Sequence, residues 1–288
     1  MNWLVAHPLA VIALLPALSA GVVALSARRA GRWIALSGTI LTLLGLLIVP
    51  IFAHADADHR VAGGSITVAR GLVLELSMDG IARALSRLLG LIAVVVVVLT
   101  WERPGGLRRF HAMPMLALSF ALVSVFASTP LTIVIGLLLT SATAGGLLWS
   151  AGELPAAARL TGTHAVSAAL AMIALACGMR GGDGFIEASA WLAIGAVLLR
   201  LGIVPLHAWV GSAMSAGAWA TRLSVLAVVS ISSIAALARW PGVMPVRADA
   251  VGWMGVIGAS MMLWGMLAAS GADRISQVAR GVWVGTVG

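Results

Sequence analysis

Long apolar stretches alternate with short polar segments along most of the chain. The stretches free of Asp, Glu, Lys and Arg are close to the length of a membrane-spanning helix. A bilayer core of about 30 Å needs roughly 20 helical residues, and a helix satisfies its own backbone hydrogen bonds in lipid. The pattern predicts nine helices and the start of a tenth, at about 8–26, 33–53, 81–100, 112–127, 131–151, 160–178, 188–209, 223–238 and 250–271, with a last segment beginning near 275. We therefore expect an all-α, polytopic transmembrane helix bundle that forms a single domain over residues 1–288.

Two local signals add detail to this prediction. The connection over residues 54–79 is long, and within it Ser65–Val68 and Leu72–Leu76 have the composition of two short strands around Gly71. We expect a small hairpin there, capping the bundle. Pro130 divides a long apolar run and predicts a tight turn between two helices.

Composition supports a membrane protein and excludes several other classes. Hydrophobic residues make up 61% of the chain and charged residues only 10%, which is too little charge for a soluble surface. Cys177 is the single cysteine, so no internal disulfide is possible. The loop residues His54, Asp56, Asp58 and His59 are of types that bind zinc, but we interpret them as a solvated loop. We predict no metal site, no bound cofactor and no soluble active site in this chain.

The basic residues, all 18 of them arginines, give a net charge of +8. They are scattered near predicted helix ends and form no continuous patch, which argues against nucleic-acid binding. Cytoplasmic loops of membrane proteins carry more basic residues than external ones. With the N-terminus outside, the inside loops hold Arg28, Arg29, Arg32, Arg103, Arg108, Arg109, Arg159, Arg222, Arg274 and Arg280, and the outside loops hold Arg60, Arg70, Arg180, Arg239 and Arg247. The count predicts that the N-terminus lies outside, and we expect an integral protein of a bacterial inner membrane.

One segment breaks the apolar pattern within the seventh predicted helix. It runs Arg200-Leu-Gly-Ile-Val-Pro205-Leu-His207-Ala-Trp209 and combines a permanent cation, a helix breaker and an imidazole. Charged groups at membrane depth are costly and mark ion pathways or partner contacts. The segment predicts a helix broken at Pro205 and a transport path that includes Arg200, Pro205 and His207.

This segment also carries a resemblance. Continued through Val-Gly-Ser-Ala213-Met214, it resembles the motif Lys-Ser-Ala-x-x-Pro-Leu-His-x-Trp-Leu-Pro-x-Ala-Met. That motif belongs to antiporter-like subunits of respiratory complex I, to their relatives in membrane-bound hydrogenases and Mrp antiporters, and to the membrane subunit of two-component inorganic-carbon accumulation systems. The stretches Leu74–Ile81 and Asp273–Ala279 resemble the family's entries to its third and tenth helices.

The resemblance implies proton or cation movement along a hydrated path at mid-membrane, in which a lysine on the broken helix pairs with a glutamate on the fifth. Arg200 stands at the lysine position, and a guanidinium does not lose its proton in proteins. The fifth helix has no carboxylate, and Thr140 and Ser141 fall about where the glutamate would be. The family's second lysine is Ile275 here. The helical frame is therefore expected to be kept and the titratable relay to be depleted.

Several roles remain open from the sequence. Arg200 is either an ion-path charge, as an anion-attracting group or a gate, or a structural partner of backbone carbonyls. His207 is either a proton carrier or a neutral hydrogen-bonding residue. Asp79 and Asp273 are candidate partner charges. Arg83 and Arg87 could line an ion entry or extend to the membrane interface. We interpret His164 as a polar group satisfied within the bundle.

The predicted function is an antiporter-like membrane subunit of a proton-motive-force-coupled complex. The alternatives are the membrane subunit of an energy-coupled inorganic-carbon uptake system and a non-conducting scaffold. The expected partners are other membrane or peripheral subunits, lipid, and protons or small ions. Because the resembled subunits have about fourteen helices, this chain is expected to be a shortened or split form whose apolar end is covered by a partner.

Overall fold

The computed structural model describes residues 7–26, 28–52, 61–69, 72–100, 108–202, 208–215 and 219–243. Within these ranges it contains nine helices and one two-stranded sheet. In chain order they are α1 (Pro8–Leu25), α2 (Arg28–Phe52), β1 (Val61–Ala69), β2 (Leu72–Met78), α3 (Gly80–Leu99), α4 (Arg108–Phe126), α5 (Pro130–Ser150), α6 (Leu154–Arg180), α7 (Asp183–Leu201), α8 (Ala208–Met214) and α9 (Trp219–Val243). The predicted helix 250–271 and the segment near 275 lie outside the described residues.

Local sequence signals explain where several helices begin. Asp79 caps α3, because its Oδ1 accepts a hydrogen bond from the Ala82 amide at 2.7 Å. Thr129 caps α5 in the same way, and Pro130 occupies the first turn of that helix, where its missing N–H costs nothing. The predicted turn at Pro130 is confirmed.

The helices form an integral membrane bundle with two central members. Seven of the described helices are long and apolar enough to cross a bilayer, and α4 contributes a shorter apolar helix, Ala112–Phe126. In α9 and α5, 78% and 67% of the apolar span is buried, against 28% in α2. The central helix α9 packs against α3, α4, α5, α7 and α8. Residues on α5 and α9 therefore face protein on most sides.

The predicted hairpin is present and rests on the turn between α4 and α5. Strands β1 and β2 are antiparallel, with Ser65 opposite Glu75. The Ser128 amide donates to the Glu75 carbonyl (3.1 Å), and the Glu75 amide donates to Thr132 Oγ1 (2.9 Å). Thr129 Oγ1 donates to the Val73 carbonyl at 2.6 Å. These bonds attach the sheet to one end of the bundle.

The main corrections concern helix ends near charged residues. The predicted helix 188–209 ends at Leu201, and a separate short helix, α8, follows it. The predicted helix 223–238 extends to Val243 and includes Arg239, which the prediction had placed in an outside loop. Arg239 is only 8% exposed. It is therefore a buried bundle residue, and the loop assignment was wrong.

Candidate functional site

Arg200 lies at the centre of the bundle. It is in the last turn of α7 and only 1% exposed. Its Nε donates to Ser233 Oγ on α9 (3.3 Å), and its Nη1 donates to the Leu137 carbonyl on α5 (3.0 Å) and to Ser141 Oγ. Ser141 is the twelfth of the 21 residues of α5, counting Pro130 as the first. With a rise of about 1.5 Å per residue, the guanidinium sits about half-way along that helix.

The helix that carries Arg200 ends at the next residue, Leu201. Gly202 adopts a left-handed conformation (φ 74°), and its amide donates back to the Leu198 and Leu199 carbonyls. A side chain at this position would overlap Val210 and lie 3.2 Å from Trp209 Nε1. Glycine is therefore needed both for the backbone conformation and for the close approach of α8. The break thus begins at Gly202, ahead of the predicted Pro205.

The charge of Arg200 has no acidic partner among the described residues. No carboxylate in those ranges forms an ion pair with it. Its position in the last turn of α7 supplies partial compensation, because the carbonyl end of a helix carries roughly half a negative charge. The Nη2 atom is buried and makes no hydrogen bond to any described residue. Arg200 therefore has both uncompensated charge and unused donor capacity.

His164 and Trp209 form a second buried group beside the break. His164, on α6, is 1% exposed, and Trp209, on α8, is fully buried. Their rings meet edge to face, with centroids 5.1 Å apart and planes at 73°. Both ring nitrogens of His164 and the indole Nε1 lack a hydrogen-bond partner among the described residues. The hydrogen bonds that the sequence analysis expected for His164 are therefore not found among the described residues.

A cleft lies at the end of the bundle where α6 begins. Its volume is about 420 Å³, and it lies between the start of α6 and the exposed face of α8. Arg159 at its wall donates to Ser212 Oγ across the cleft (2.9 Å). Ala156 lines the cleft, and Leu160 and His164 follow it at four-residue spacing, which places them on one face of α6. His164 thus lies two helical turns beyond Ala156, with the buried Leu160 between them.

Among the other predicted site residues, Thr140 and Asp79 have well-defined contacts. Thr140 Oγ1 donates to the Gly136 carbonyl (2.6 Å) and lies 3.4 Å from the Phe120 carbonyl, so the hydroxyl faces α4. Arg200 instead binds the neighbouring Ser141. Asp79 Oδ2 pairs with Arg239 Nη2 at 3.1 Å. The sequence analysis did not identify this partner, because it had placed Arg239 outside the bundle.

The remaining candidates are not brought to the centre by any contact in the described residues. Arg83 and Arg87 are half-buried on α3, one turn apart. Pro205, His207 and Asp273 lie outside the described residues. No group of three His, Cys, Asp or Glu side chains that could hold a metal ion occurs within the described ranges. The site that the structure builds is therefore Arg200 with Ser141 and Ser233, next to His164 and Trp209.

The arrangement has a simple chemical character. Every described group that accepts a hydrogen bond from Arg200 is a neutral hydroxyl or carbonyl oxygen, so no carboxylate in the described ranges can exchange a proton with it. His164 is a buried side chain whose ordinary pKa lies near neutrality. The site therefore presents a fixed positive charge and hydrogen-bond donors at mid-bundle depth.

Comparison with known proteins gives a consistent result at the level of fold. No protein-family model matches the sequence, and no curated protein matches it. The structure is similar to a chain of respiratory complex I from Thermus thermophilus with bound aureothin, at 17% identity over 98% of this chain and 62% of that chain, with a TM-score of 0.76. It is similar to a chain of the membrane-bound sulfane sulfur reductase, an archaeal respiratory membrane complex, at 14% identity over 98% of this chain and 50% of that one, with a TM-score of 0.84.

A third similar structure is a chain of the Mrp complex from Dietzia sp. DQ12-45-1b, at 16% identity over 97% of this chain and 57% of that chain, with a TM-score of 0.79. The chain spans between half and about three-fifths of the length of these solved chains. At such low identity the likeness establishes architecture and leaves activity open. The protein has the fold of an antiporter-like membrane subunit.

Proposed function

We propose that this protein is an integral subunit of a hetero-oligomeric membrane complex coupled to the proton-motive force, and that Arg200 acts as a fixed electrostatic gate on its ion path. The observation that carries the proposal is the position of Arg200. Its guanidinium lies at mid-bundle depth, at a helix break, and among the described residues its ligands are hydroxyl and carbonyl oxygens. An ionisable residue inside a membrane bundle is costly and is retained where it serves transport.

The chemistry of the guanidinium favours a gate over a relay. A lysine at this depth can release its proton, because burial disfavours the charged ammonium. Arg200 keeps its charge, and Ser141 cannot accept a proton as a carboxylate would. A fixed charge in a low-dielectric bundle repels cations that approach it. We therefore expect slow proton leak through this chain while Arg200 is present.

The test is proton flux through the purified complex in liposomes, with whatever subunits co-purify. An internal pH-sensitive dye reports flux under an imposed potassium diffusion potential. Arg200→Gln should raise passive proton flux about tenfold, which corresponds to lowering the barrier by about 1.4 kcal/mol. Arg200→Lys should also raise it, because lysine can lose its proton.

Arg180→Gln is the matched control. Arg180 is the last residue of α6 and is exposed, and its guanidinium lies over the Phe185 ring at 4.5 Å. We expect the flux of this variant to equal that of the unmodified complex. An Arg200→Gln complex that assembles normally and conducts no faster would contradict the gate.

A second candidate, a non-conducting scaffold, is favoured by the hydrogen bonds of Arg200 to both α5 and α9. A guanidinium that joins two helices of the core could be kept for assembly alone. This function predicts less assembled complex for Arg200→Gln, with unchanged flux per complex. Blue native electrophoresis of the same preparations measures the first quantity and the dye assay the second.

A further inference from the structure

We propose that the helix break binds a small monovalent inorganic anion, held by the guanidinium of Arg200, the indole N–H of Trp209 and the imidazole of His164. We call this set of three side chains the anion nest. The inference goes beyond the gate function, because anion binding can be measured on the chain whether or not protons move. Three observations carry it: the unused donors, the uncompensated charge and the contacts of Trp209.

The unused donors come from three separate elements. Arg200 Nη2 on α7, Trp209 Nε1 on α8 and the ring nitrogens of His164 on α6 are all buried without a hydrogen-bond partner among the described residues. Each of these side chains is at most 1% exposed. Buried polar atoms are nearly always paired, and an unpaired one costs about 1–3 kcal/mol. Guanidinium and indole nitrogens can only donate, so their missing partner is an acceptor.

The charge balance identifies the acceptor as an anion. Arg200 carries a permanent positive charge and has no carboxylate partner in the described ranges. The other charged groups on the helices that pack around His164 lie elsewhere. Arg159 and Arg180 are exposed on α6, Asp183 and Glu187 are exposed at the start of α7, and α5 and α8 contain no charged residue. One negative charge would neutralise the site, whereas a dianion would leave an excess charge in the bundle.

Trp209 contacts His164 and also lies against the end of the helix that carries Arg200. Trp209 Nε1 comes within 3.2 Å of the position that a side chain on Gly202 would occupy, and Gly202 follows Arg200 by two residues. The Trp209 and His164 rings are in edge-to-face contact at 5.1 Å. Tryptophan therefore connects the end of α7 to the His164 face of α6.

The experiment measures thermal stability of the purified full chain in lipid nanodiscs at constant ionic strength. Chloride, bromide or bicarbonate replaces gluconate, a much larger anion. We expect a saturable rise in Tm with increasing anion concentration, since a ligand that binds only the folded state stabilises it. Comparison of the halides with bicarbonate distinguishes binding of a spherical ion from binding of a planar oxyanion. A saturable rise in Tm with either kind of anion supports the anion nest.

Variants locate the binding. Arg200→Gln should abolish the anion-dependent rise. Trp209→Phe keeps the aromatic ring and removes the N–H, and we expect about a fivefold to tenfold weaker apparent affinity, the usual effect of one hydrogen bond. His164→Phe should weaken binding by a similar factor. Arg180→Gln, which removes an exposed arginine of α6, should leave it unchanged.

The proposal is overturned if no anion raises Tm over gluconate, or if Trp209→Phe and His164→Phe both bind with unchanged affinity. Those outcomes would indicate that water, or a carboxylate from a partner chain, satisfies the buried donors. If Arg200→Gln does not fold, the two aromatic variants still decide the question. If the unmodified complex binds chloride and the Arg200→Gln complex has the same proton flux, the gate is refuted and the anion nest still stands.

Discussion

The two buried arginines, Arg200 and Arg239, are held in opposite ways. Arg239 pairs with Asp79 through Nε (3.2 Å) and Nη2 (3.1 Å), and it also donates to the Ala127 carbonyl (2.6 Å) and the Ser77 carbonyl (3.1 Å). It joins the end of α9 to the hairpin and to the turn after α4. Its charge is paired and all three of its nitrogens donate hydrogen bonds. Arg239 is thus a structural clamp.

Arg200 has hydroxyl and carbonyl oxygens as its acceptors and an Nη2 without a partner in the described ranges. The half charge at the end of α7 is its main compensation. The contrast teaches that burial of a charge does not by itself mark function. Arg239 shows that a buried arginine in this bundle can have a carboxylate partner. Arg200 is distinguished because it is buried without one in the described ranges. A costly, unpaired charge is what selection for function can retain against stability.

The sharpest way to break this comparison is to replace each arginine by methionine, which has a similar length and no charge. Arg239→Met should lower the free energy of unfolding by about 3 kcal/mol, because it leaves Asp79 without its partner. Arg200→Met should change it by less than about 1 kcal/mol, or raise it, because removing an unpaired buried charge relieves a desolvation cost. Unfolding in mixed detergent micelles measures both.

The serine partners of Arg200 explain the second expectation. Ser141 also donates to the Leu137 carbonyl (2.8 Å) and Ser233 to the Val229 carbonyl (2.6 Å), so each hydroxyl keeps a bond within its own helix. Loss of the guanidinium therefore leaves no orphaned hydroxyl. A larger loss for Arg200→Met than for Arg239→Met would reverse the comparison and favour the scaffold function.

A smaller change isolates the ion pair from the helix cap. Asp79→Asn keeps an N-cap acceptor for the Ala82 amide but removes the charge that faces Arg239. We expect a loss of about 2 kcal/mol, at the low end for a buried pair, because the Asp79 side chain is 29% exposed. Adding Arg239→Met should then cost less than it does alone, which a double-mutant cycle on unfolding free energies would measure.

Asp183→Asn provides the reference for that measurement. Asp183 is exposed in the first turn of α7, where a carboxylate contributes about 0.3–1 kcal/mol through the helix dipole. If Asp79→Asn were as mild as Asp183→Asn, the Asp79–Arg239 pair would not be the clamp described above.

The same two arginines show what the sequence could predict. Apolar runs located the membrane helices, because lipid demands long apolar segments whatever their neighbours. The apolar runs did not predict the helix ends correctly, because charged residues were taken as helix boundaries. Arg180 lies inside α6, exposed at its last turn, and Arg239 lies inside α9 because Asp79 pairs with it. Whether a charged residue ends a helix depends on its tertiary partner, and the local sequence around the residue does not show that partner.

The candidate site was predictable to a similar degree. Arg200 stood out as a charge in an apolar run, and the family resemblance pointed to Thr140 and Ser141 on the facing helix. The approach of His164 to Trp209 depends on how α6 packs beside the break, and no local pattern encodes that contact. The position of the break did have a signal. A glycine just after a helix, with a proline a few residues beyond, is a typical helix end, and Gly202 and Pro205 have that spacing.

The smallest expected effect tests how much Arg200 depends on that break. Gly202→Ala forces a left-handed conformation on a residue with a side chain and creates an overlap with Val210. We expect a loss of roughly 1–2 kcal/mol in the free energy of unfolding. Gly195→Ala, in the same helix with open space around it, should instead stabilise the protein by about 0.5–1 kcal/mol.

The same two variants also test the anion response. Because Gly202 sets where the carbonyl end of α7 lies beside Arg200, Gly202→Ala should weaken anion-dependent stabilisation, and Gly195→Ala should leave it unchanged. Equal anion responses in the two variants would mean that the charge of Arg200 is balanced independently of the helix end, as the charge of Arg239 is by Asp79.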